Sequence, residues 1–223
     1  LVFGCLSVKC SDQVSTIKYS VMNMTIEELY HKLEDKSFQD TSVGTMFYNV
    51  YIFQYPAEDE NEICYQIDEF KSRLRRPSNN LDILTLNIFD EFCAYLDAKK
   101  FGRHPSLLNY LVEKEYKDAN SVNNTLIRNA SDEKFFEWVD KRIREHLKQE
   151  NELTKSFVFL YGFGQIYPYL RTNTFLSNFE KYNHGEDFKI IVFYPGHSQG
   201  NSFSLFDVLD DANTYRSITL INR

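Results

Sequence analysis

The chain has 223 residues, 43% of them hydrophobic, with nineteen Phe and fifteen Tyr, a formal net charge of −7 and a pI near 5.3. This length and apolar content suit one compact α/β domain with a large aromatic core. The acidic balance argues against a global electrostatic grip on nucleic acid or on an anionic membrane. No run of the sequence has the length and apolarity of a transmembrane helix, so we expect no membrane partner.

The first 22 residues are predicted to lie outside the folded core. Their apolar part, residues 1–8, is too short for a membrane span and lacks the basic flank of a signal peptide. We expect a leader or upstream extension over residues 1–22 and a single domain over residues 24–223.

The cysteine pattern favours a reducing compartment, so we expect a cytoplasmic protein. Cys5, Cys10, Cys64 and Cys93 form no C-x-x-C pair and no Cys/His cluster with zinc spacing. Cys64 and Cys93 lie in apolar-periodic stretches and are interpreted as small core residues.

The first half of the domain predicts two strands among several helices. Thr25 and Glu28 have the spacing of a capping box and start a helix over residues 25–37. A helix over residues 60–76 begins with acids and ends with bases, as the helix macrodipole favours. The other predicted elements are strands at 47–54 and 82–87, helices at 89–100 and 107–116, a polar loop at 118–130, and a helix from Ser131 to about residue 150. The region near 105–150 is therefore a helical segment within the domain.

The second half predicts the central strands of the sheet. Residues 157–161 and 190–194 are continuously apolar, which is typical of buried parallel strands. Pro168 suits the first turn of a helix running to about residue 182. The remaining predictions are a loop at 195–200, a short helix at 204–210 and a strand at 217–221. The fold class is α/β, a mostly parallel sheet of about five strands flanked by helices.

Residues 196–200 (GHSQG) spell G-x-S-x-G directly after a predicted strand, as does the nucleophile elbow of α/β-hydrolases. Gly196 and Gly200 supply the small residues that this tight turn needs, and a helix is predicted to follow. In the hydrolases, however, the acid and the histidine come after the serine, whereas the last histidine here is His197. We therefore predict no catalytic residue, and a serine hydrolase using Ser198 is the alternative.

Phosphate, metal and nucleic-acid sites are not predicted. The chain has no P-loop motif, and the turn at residues 55–60 (YPAEDE) is acidic and free of glycine, so it would repel phosphate. The acids of residues 58–62 are interpreted as a solvated helix start rather than a Mg²⁺ site. Basic clusters at residues 73–76 and 141–144 are interpreted as helix-end and solvated-face charges rather than a nucleic-acid contact. We expect no cofactor.

Two features favour a binding role. Arg171 is predicted in the first turns of a helix, where the macrodipole disfavours a cation, so we expect it to have a specific partner. Asp210, Asp211, Asn213, Tyr215 and Arg216 form a dense polar cluster before the last predicted strand. The alternative interpretation of each of these two features is a structural salt bridge or a helix cap.

Two stretches in the second half of the chain form a distinctive pair. The first is GFGQIYPYLRTN at residues 162–173, and the second runs from FYPGHSQG at 193–200 to DDANTYR at 210–216. Together they resemble the BrxB family of the BREX phage-defence system. The family pattern carries an acidic and an aromatic residue where this chain has His197 and Ser198. The G-x-S-x-G spelling therefore arises where the chain departs from the family.

The resemblance implies a cytosolic, non-catalytic adaptor or assembly subunit that binds other BREX proteins, such as the PglZ-like protein, the methyltransferase or the large ATPase. It also implies a sheet order similar to a P-loop-like fold without the phosphate loop. We expect the two stretches to meet at the carboxyl edge of the sheet, because they follow adjacent parallel strands. The partner-binding residues predicted there are Tyr167, Arg171, Asn173, Pro195, Gly196, Gly200, Tyr215 and Arg216.

Overall fold

The structure is a computed structural model that describes residues 24–40, 49–150, 152–182, 188–199, 202–206, 209–211 and 219–221. The predicted leader at residues 1–22 lies outside this part. The helices are α1 (Ile26–Glu34), α2 (Lys36–Gln39), α3 (Glu60–Leu74), α4 (Ile88–Asp97), α5 (Leu107–Glu115), α6 (Ala119–Ala130), α7 (Glu133–Leu147), α8 (Phe163–Ile166) and α9 (Thr172–Phe179). The strands are β1 (Val50–Tyr55), β2 (Leu84–Asn87), β3 (Phe157–Tyr161), β4 (Lys189–Gln199), β5 (Ser202–Leu205), β6 (Leu209–Asp211) and β7 (Thr219–Leu220).

Five strands form a parallel sheet in the order β2-β3-β4-β1-β7. The α/β fold class is thereby confirmed. The first strand, β1, lies between β4 and the last described strand, β7. Beyond the sheet, the end of β4 pairs with β5, and β5 pairs with β6, in an antiparallel hairpin extension.

Alternate side chains of the central strands face two separate cores. On β4, Ile190, Val192 and Tyr194 pack towards one face, which is covered by helices of the α4–α9 region. Ile191 and Phe193 pack towards the other face, against α1 and α3. Both faces of β3 and β4 are therefore dry, which explains why these strands are continuously apolar in the sequence.

Residues 118–130, predicted as a loop, form α6. Asp118 accepts a hydrogen bond from the Ser121 amide and caps the helix. Val122 and Ala130 are buried, so α6 has an apolar stripe despite its asparagines. The prediction was wrong because local polar propensity is weaker than tertiary packing. The following helix is capped by Asp132 rather than by Ser131.

The single helix predicted over residues 167–182 is interrupted. The peptide bond between Tyr167 and Pro168 is cis, and Tyr167 is extended with a ψ of 138°. A residue before proline avoids the helical region, so α8 ends and α9 begins only at Thr172. Pro168 thus lies in a turn rather than at a helix start, and the prediction was wrong.

The predicted loop at 195–200 and helix at 204–210 were also wrong over their described residues. The chain stays extended to Gln199, and Gly196 and His197 pair with Leu205 and Ser204 of β5. Phe206, with a φ of 56°, turns the chain towards β6. The sequence does carry a signal for this hairpin, because Gly200-Asn201 separates the paired residues Gln199 and Ser202, and Gly-Asn between two strands is typical of a two-residue turn.

Candidate functional site

Gly162, directly after β3, packs tightly against Asn87 at the end of the neighbouring strand β2. Gly162 has a φ of +80°, and a Cβ added to it would lie 2.1 Å from Asn87 Oδ1. The Asn87 side chain caps α4 by accepting from the Phe89 amide at 2.9 Å, and its Nδ2 donates to Gln165 Oε1 at 2.9 Å. Only glycine fits between these groups, so the starts of α4 and α8 are held together.

The two stretches that carry the resemblance contact each other. A Cβ on Gly164 would lie 2.7 Å from the Phe206 ring and 3.4 Å from Pro195 Cγ. The Phe206 amide donates to the Pro195 carbonyl at 2.9 Å. The start of the first stretch therefore packs on the second at the carboxyl edge of the sheet, as expected for segments that follow the adjacent strands β3 and β4.

Gly196, the first glycine of the G-x-S-x-G spelling, allows the close approach of β4 and β5 in their hairpin. Gly196 has a φ of +142°, and a Cβ there would lie 2.0 Å from the Ser204 carbonyl oxygen. Ser198 is opposite Phe203 on an antiparallel strand pair. A nucleophile elbow is a strand-to-helix turn, and the helix predicted after Ser198 is replaced by β5. The predicted strand-to-helix context of a nucleophile elbow around Ser198 was therefore wrong.

A turn between α8 and α9 holds the next predicted residues. Ile166 and Leu170 are buried beneath it, while Tyr167 is half-buried and packs against the core. Arg171 is exposed and precedes α9 as its N-cap residue, so it does not lie inside the first turns as predicted. Asn173 is buried in the first turn of α9.

The start of α9 has unusual polar groups. Arg171 offers no side-chain cap, and the first turn contains no acidic residue. Thr172 is 1% exposed, and its hydroxyl has no hydrogen-bond partner among the described residues. Asn173 Oδ1 accepts from the Thr174 hydroxyl at 3.1 Å. The start of α9 therefore combines an exposed cation with a buried hydroxyl that has no hydrogen-bond partner among the described residues.

Not every predicted site residue can be placed. Pro195 and Gly196 are buried at the root of the hairpin. Gly200, Tyr215 and Arg216 lie outside the described residues, as does most of the polar cluster predicted before the last strand. The structure therefore brings Pro195 and Gly196 against α8, near the turn that carries Tyr167 and Arg171.

The carboxyl end of β1 carries a different arrangement, which the sequence analysis missed as a unit. The Tyr55 hydroxyl donates to Glu60 Oε2 at 2.5 Å across the turn into α3. Burial raises the pKa of Glu60, and burial together with the nearby Glu60 carboxylate raises the pKa of Tyr55. Burial, with the carboxylates of Glu60, Asp68 and Asp90 around it, raises the pKa of Cys64. The sequence signal for the Tyr55–Glu60 pair was a tyrosine that ends a strand, five residues before the glutamate that starts a helix.

The described part of the chain contains neither a cluster of metal ligands nor a helix that could span a membrane. In that part, no group of three or more His, Cys, Asp and Glu side chains could hold a metal ion. No helix among the same residues combines the length and apolarity needed to cross a bilayer.

Fold and site together define a mostly parallel α/β protein in which two sequence stretches meet at the carboxyl edge of the sheet. The family model described as "BREX protein BrxB" matches residues 84–220. A "BREX protein BrxB" of Bacillus cereus (strain H3081.97) is 24% identical over 207 residues, which cover 91% of this chain and 98% of that protein. The chain belongs to the BrxB family. No solved structure matches it significantly.

Proposed function

We propose that the chain is a cytoplasmic, non-catalytic adaptor or assembly component of a BREX phage-defence complex. It binds another BREX protein through the carboxyl edge of the sheet at β3 and β4, termed here the β3–β4 edge. This edge presents the half-buried Tyr167 and the exposed Arg171, and the buried residues Asn173, Pro195 and Gly196 lie beneath them and support them. Gly200, Tyr215 and Arg216 belong to the proposal from the sequence alone. The candidate partners are the PglZ-like protein, the methyltransferase and the large ATPase.

The contact of Gly164 with Phe206 and Pro195 carries this proposal. It joins residues more than 30 positions apart in the sequence, and the stretches that contain them are the ones that resemble the family. Tyr and Arg are the side chains most enriched at the energetic centres of protein interfaces. The half-buried Tyr167 and the exposed Arg171 supply both types on a rigid platform.

The non-catalytic part of the proposal is supported by the surroundings of Ser198. The chain continues from it into an antiparallel pair, and no histidine follows it in the sequence. A fluorophosphonate probe tests this part. We expect no labelling that depends on Ser198, and labelling lost in Ser198→Ala would establish the hydrolase instead.

Affinity recovery after co-expression tests the adaptor role. We expect Tyr167→Ala and Arg171→Ala each to reduce recovery of one BREX partner by about tenfold, the loss typical of a central interface residue. Tyr65→Ala and Arg75→Ala are matched controls, because both residues are exposed on or just after α3. Undiminished recovery with both β3–β4 edge variants would contradict the proposed surface.

A further inference from the structure

The amino edge of the sheet contains a cavity that the proposed function does not use. It lies where residues of α1 and α2 meet the first residues of β1 and β4, at the end of these strands opposite to the β3–β4 edge. Its volume of about 210 Å³ suits a molecule smaller than a typical drug, whose pocket measures roughly 300–1,000 Å³. The residues that line it are Lys32, Asp35, Ser37, Phe38, Tyr51 and Lys189.

Lys189, the first residue of β4, is a buried cation in the wall of this cavity. The residue is only 2% exposed, and its Nζ lies 4.5 Å from the centre of the Phe38 ring and 5.7 Å from that of Tyr51. An ammonium has three donors, and the Phe38 carbonyl is the only hydrogen-bond acceptor that the described residues give it. Buried charges are normally paired, so the remaining donors indicate an acceptor inside the cavity.

Lys32 places a second cation at the same ring. Its Nζ lies 5.3 Å from the centre of the Phe38 ring, and it makes no hydrogen bond or ion pair with the described residues. Burial lowers the pKa of Lys189, the charge of Asp40 raises it, and the charge of Lys32 lowers it again. Two ammonium groups beside one ring repel each other, and an anion held by both would relieve that repulsion.

The acidic residues nearby limit the charge that the cavity can accept. Asp35 lines the cavity, and both of its carboxylate oxygens accept from Ser37 rather than from a lysine. The charge of Asp40 also acts on Lys189. Two lysines opposed by two carboxylates suit a ligand with one negative charge and disfavour a doubly charged phosphate.

The aromatic part of the wall is held in place by the sheet. The Phe38 ring packs edge-on against Tyr51, with centroids 5.1 Å apart, and stacks on Phe157 of β3 at 5.8 Å. Phe157 is buried in the core, so the wall exists before any ligand binds. Aromatic side chains favour a flat apolar body beside them.

We propose that this amino-edge cavity binds a small aromatic carboxylate. The carboxylate accepts from the ammonium groups of Lys189 and Lys32, and the ring of the ligand packs against Phe38 and Tyr51. The site lies at the opposite end of the strands from the β3–β4 edge, so it does not depend on the proposed adaptor function.

Amide NMR titration of the protein with sodium benzoate at constant ionic strength tests the site. We expect saturable shifts at residues 35–38, 51 and 189–190, with a dissociation constant of about 1 mM or tighter. Sodium acetate, which lacks the ring, should bind at least about fivefold more weakly. Inorganic phosphate and benzylamine, a cation of similar shape, should give no saturable shift.

Three lysine variants test which cations hold the carboxylate. Lys189→Met should raise the benzoate dissociation constant by about tenfold or more, because a hydrogen bond between two charged groups is lost. Lys32→Met should raise it by about threefold, because this side chain is more exposed and screened. Lys36→Met is the matched control and should stay within about twofold, because Lys36 bonds to Gln39 and to the Asn79 carbonyl and does not line the cavity.

Tyr51→Leu tests the aromatic wall separately from the charges. It should raise the dissociation constant of benzoate by about threefold and leave that of acetate within about twofold, because only benzoate has a ring to pack against it.

Three outcomes would overturn the site: no saturable benzoate shift, equal binding of benzylamine, or equal weakening by Lys36→Met and Lys189→Met. Urea unfolding shows whether each variant is folded. If Lys189→Met does not fold, Lys32→Met and Tyr51→Leu decide the matter, and unchanged benzoate binding in both would overturn the site.

Discussion

The starts of α3 and α9 both lie at the carboxyl edge of the sheet, after β1 and after the turn beyond β3, but their chemistry is opposite. At α3, a turn containing Glu58, Asp59 and Glu60 leads into the helix. At α9, Arg171 precedes an acid-free first turn. Neither helix has a side-chain cap, so the two starts differ in charge rather than in capping.

This difference shows that strand order alone does not define a site. The turn after β1 contains no glycine and carries three consecutive acids, which repel an anion. The start of α9 lies at the same edge of the sheet, with a cation before an acid-free first turn. Two helix starts at one sheet edge therefore differ in charge.

The largest predicted effect tests whether the α9 side of the edge is a fitted platform. Gly162→Ala should destabilise the protein by about 2–4 kcal/mol, because it combines a left-handed backbone with a clash against Asn87. Gly102→Ala is the control, since Gly102 has a φ of +55° but no atom within 4 Å of an added Cβ. It should cost only about 1–2 kcal/mol. Equal midpoints in urea unfolding would contradict the fitted contact.

Capping variants sharpen the contrast between an occupied and an open helix start. Asn87→Ala should lower the free energy of unfolding by about 1–2 kcal/mol, because it removes the α4 cap and the bond to Gln165. Arg171→Ser should stabilise the free protein by up to about 1 kcal/mol through a new cap on α9, and should weaken partner recovery because the guanidinium of the proposed interface is lost. Improved recovery of the partner protein with Arg171→Ser would contradict a role for Arg171 in the interface.

The smallest predicted effect concerns the acidic start of α3. Burial raises the pKa of Glu60, so the folded protein holds this proton more tightly than the unfolded chain does. Stability from this group is complete below the pKa of an unfolded glutamate, about 4.3, and is lost as the pH rises through the raised folded pKa.

Glu60→Gln should therefore gain stability relative to wild type across that pH window. The gain should stay under about 1 kcal/mol, because the half-buried carboxylate is partly screened. Urea unfolding at pH 4 and pH 7 measures it. A difference between variant and wild type that shrinks with rising pH would contradict the sign.

The sequence predicted the parts of the fold that local chemistry determines. The capping box of Thr25 and Glu28 forms with both bonds present, and the apolar runs of β3 and β4 are central parallel strands. The errors lie where distant contacts decide. Polar α6 is helical because Val122 and Ala130 are buried against other helices, and the hairpin forms because Gly196 lets the Ser204 carbonyl approach.

The candidate site was predictable only in part for the same reason. Adjacent parallel strands place the two stretches together, and this follows from the order of elements. The open start of α9 depends on where Pro168 ends α8, and the Tyr55–Glu60 hydrogen bond depends on a short turn that composition does not reveal. Local patterns could not distinguish Arg171 within a helix from Arg171 before one.

Hydrogen exchange on the chain, alone and in complex with its recovered BREX partner, tests the central claim most directly. We expect slower exchange on binding at residues 162–175 and 195–199, with no change at residues 57–70 around the start of α3. Protection confined to residues 57–70, with residues 162–175 unchanged, would contradict the assignment of partner binding to the β3–β4 edge.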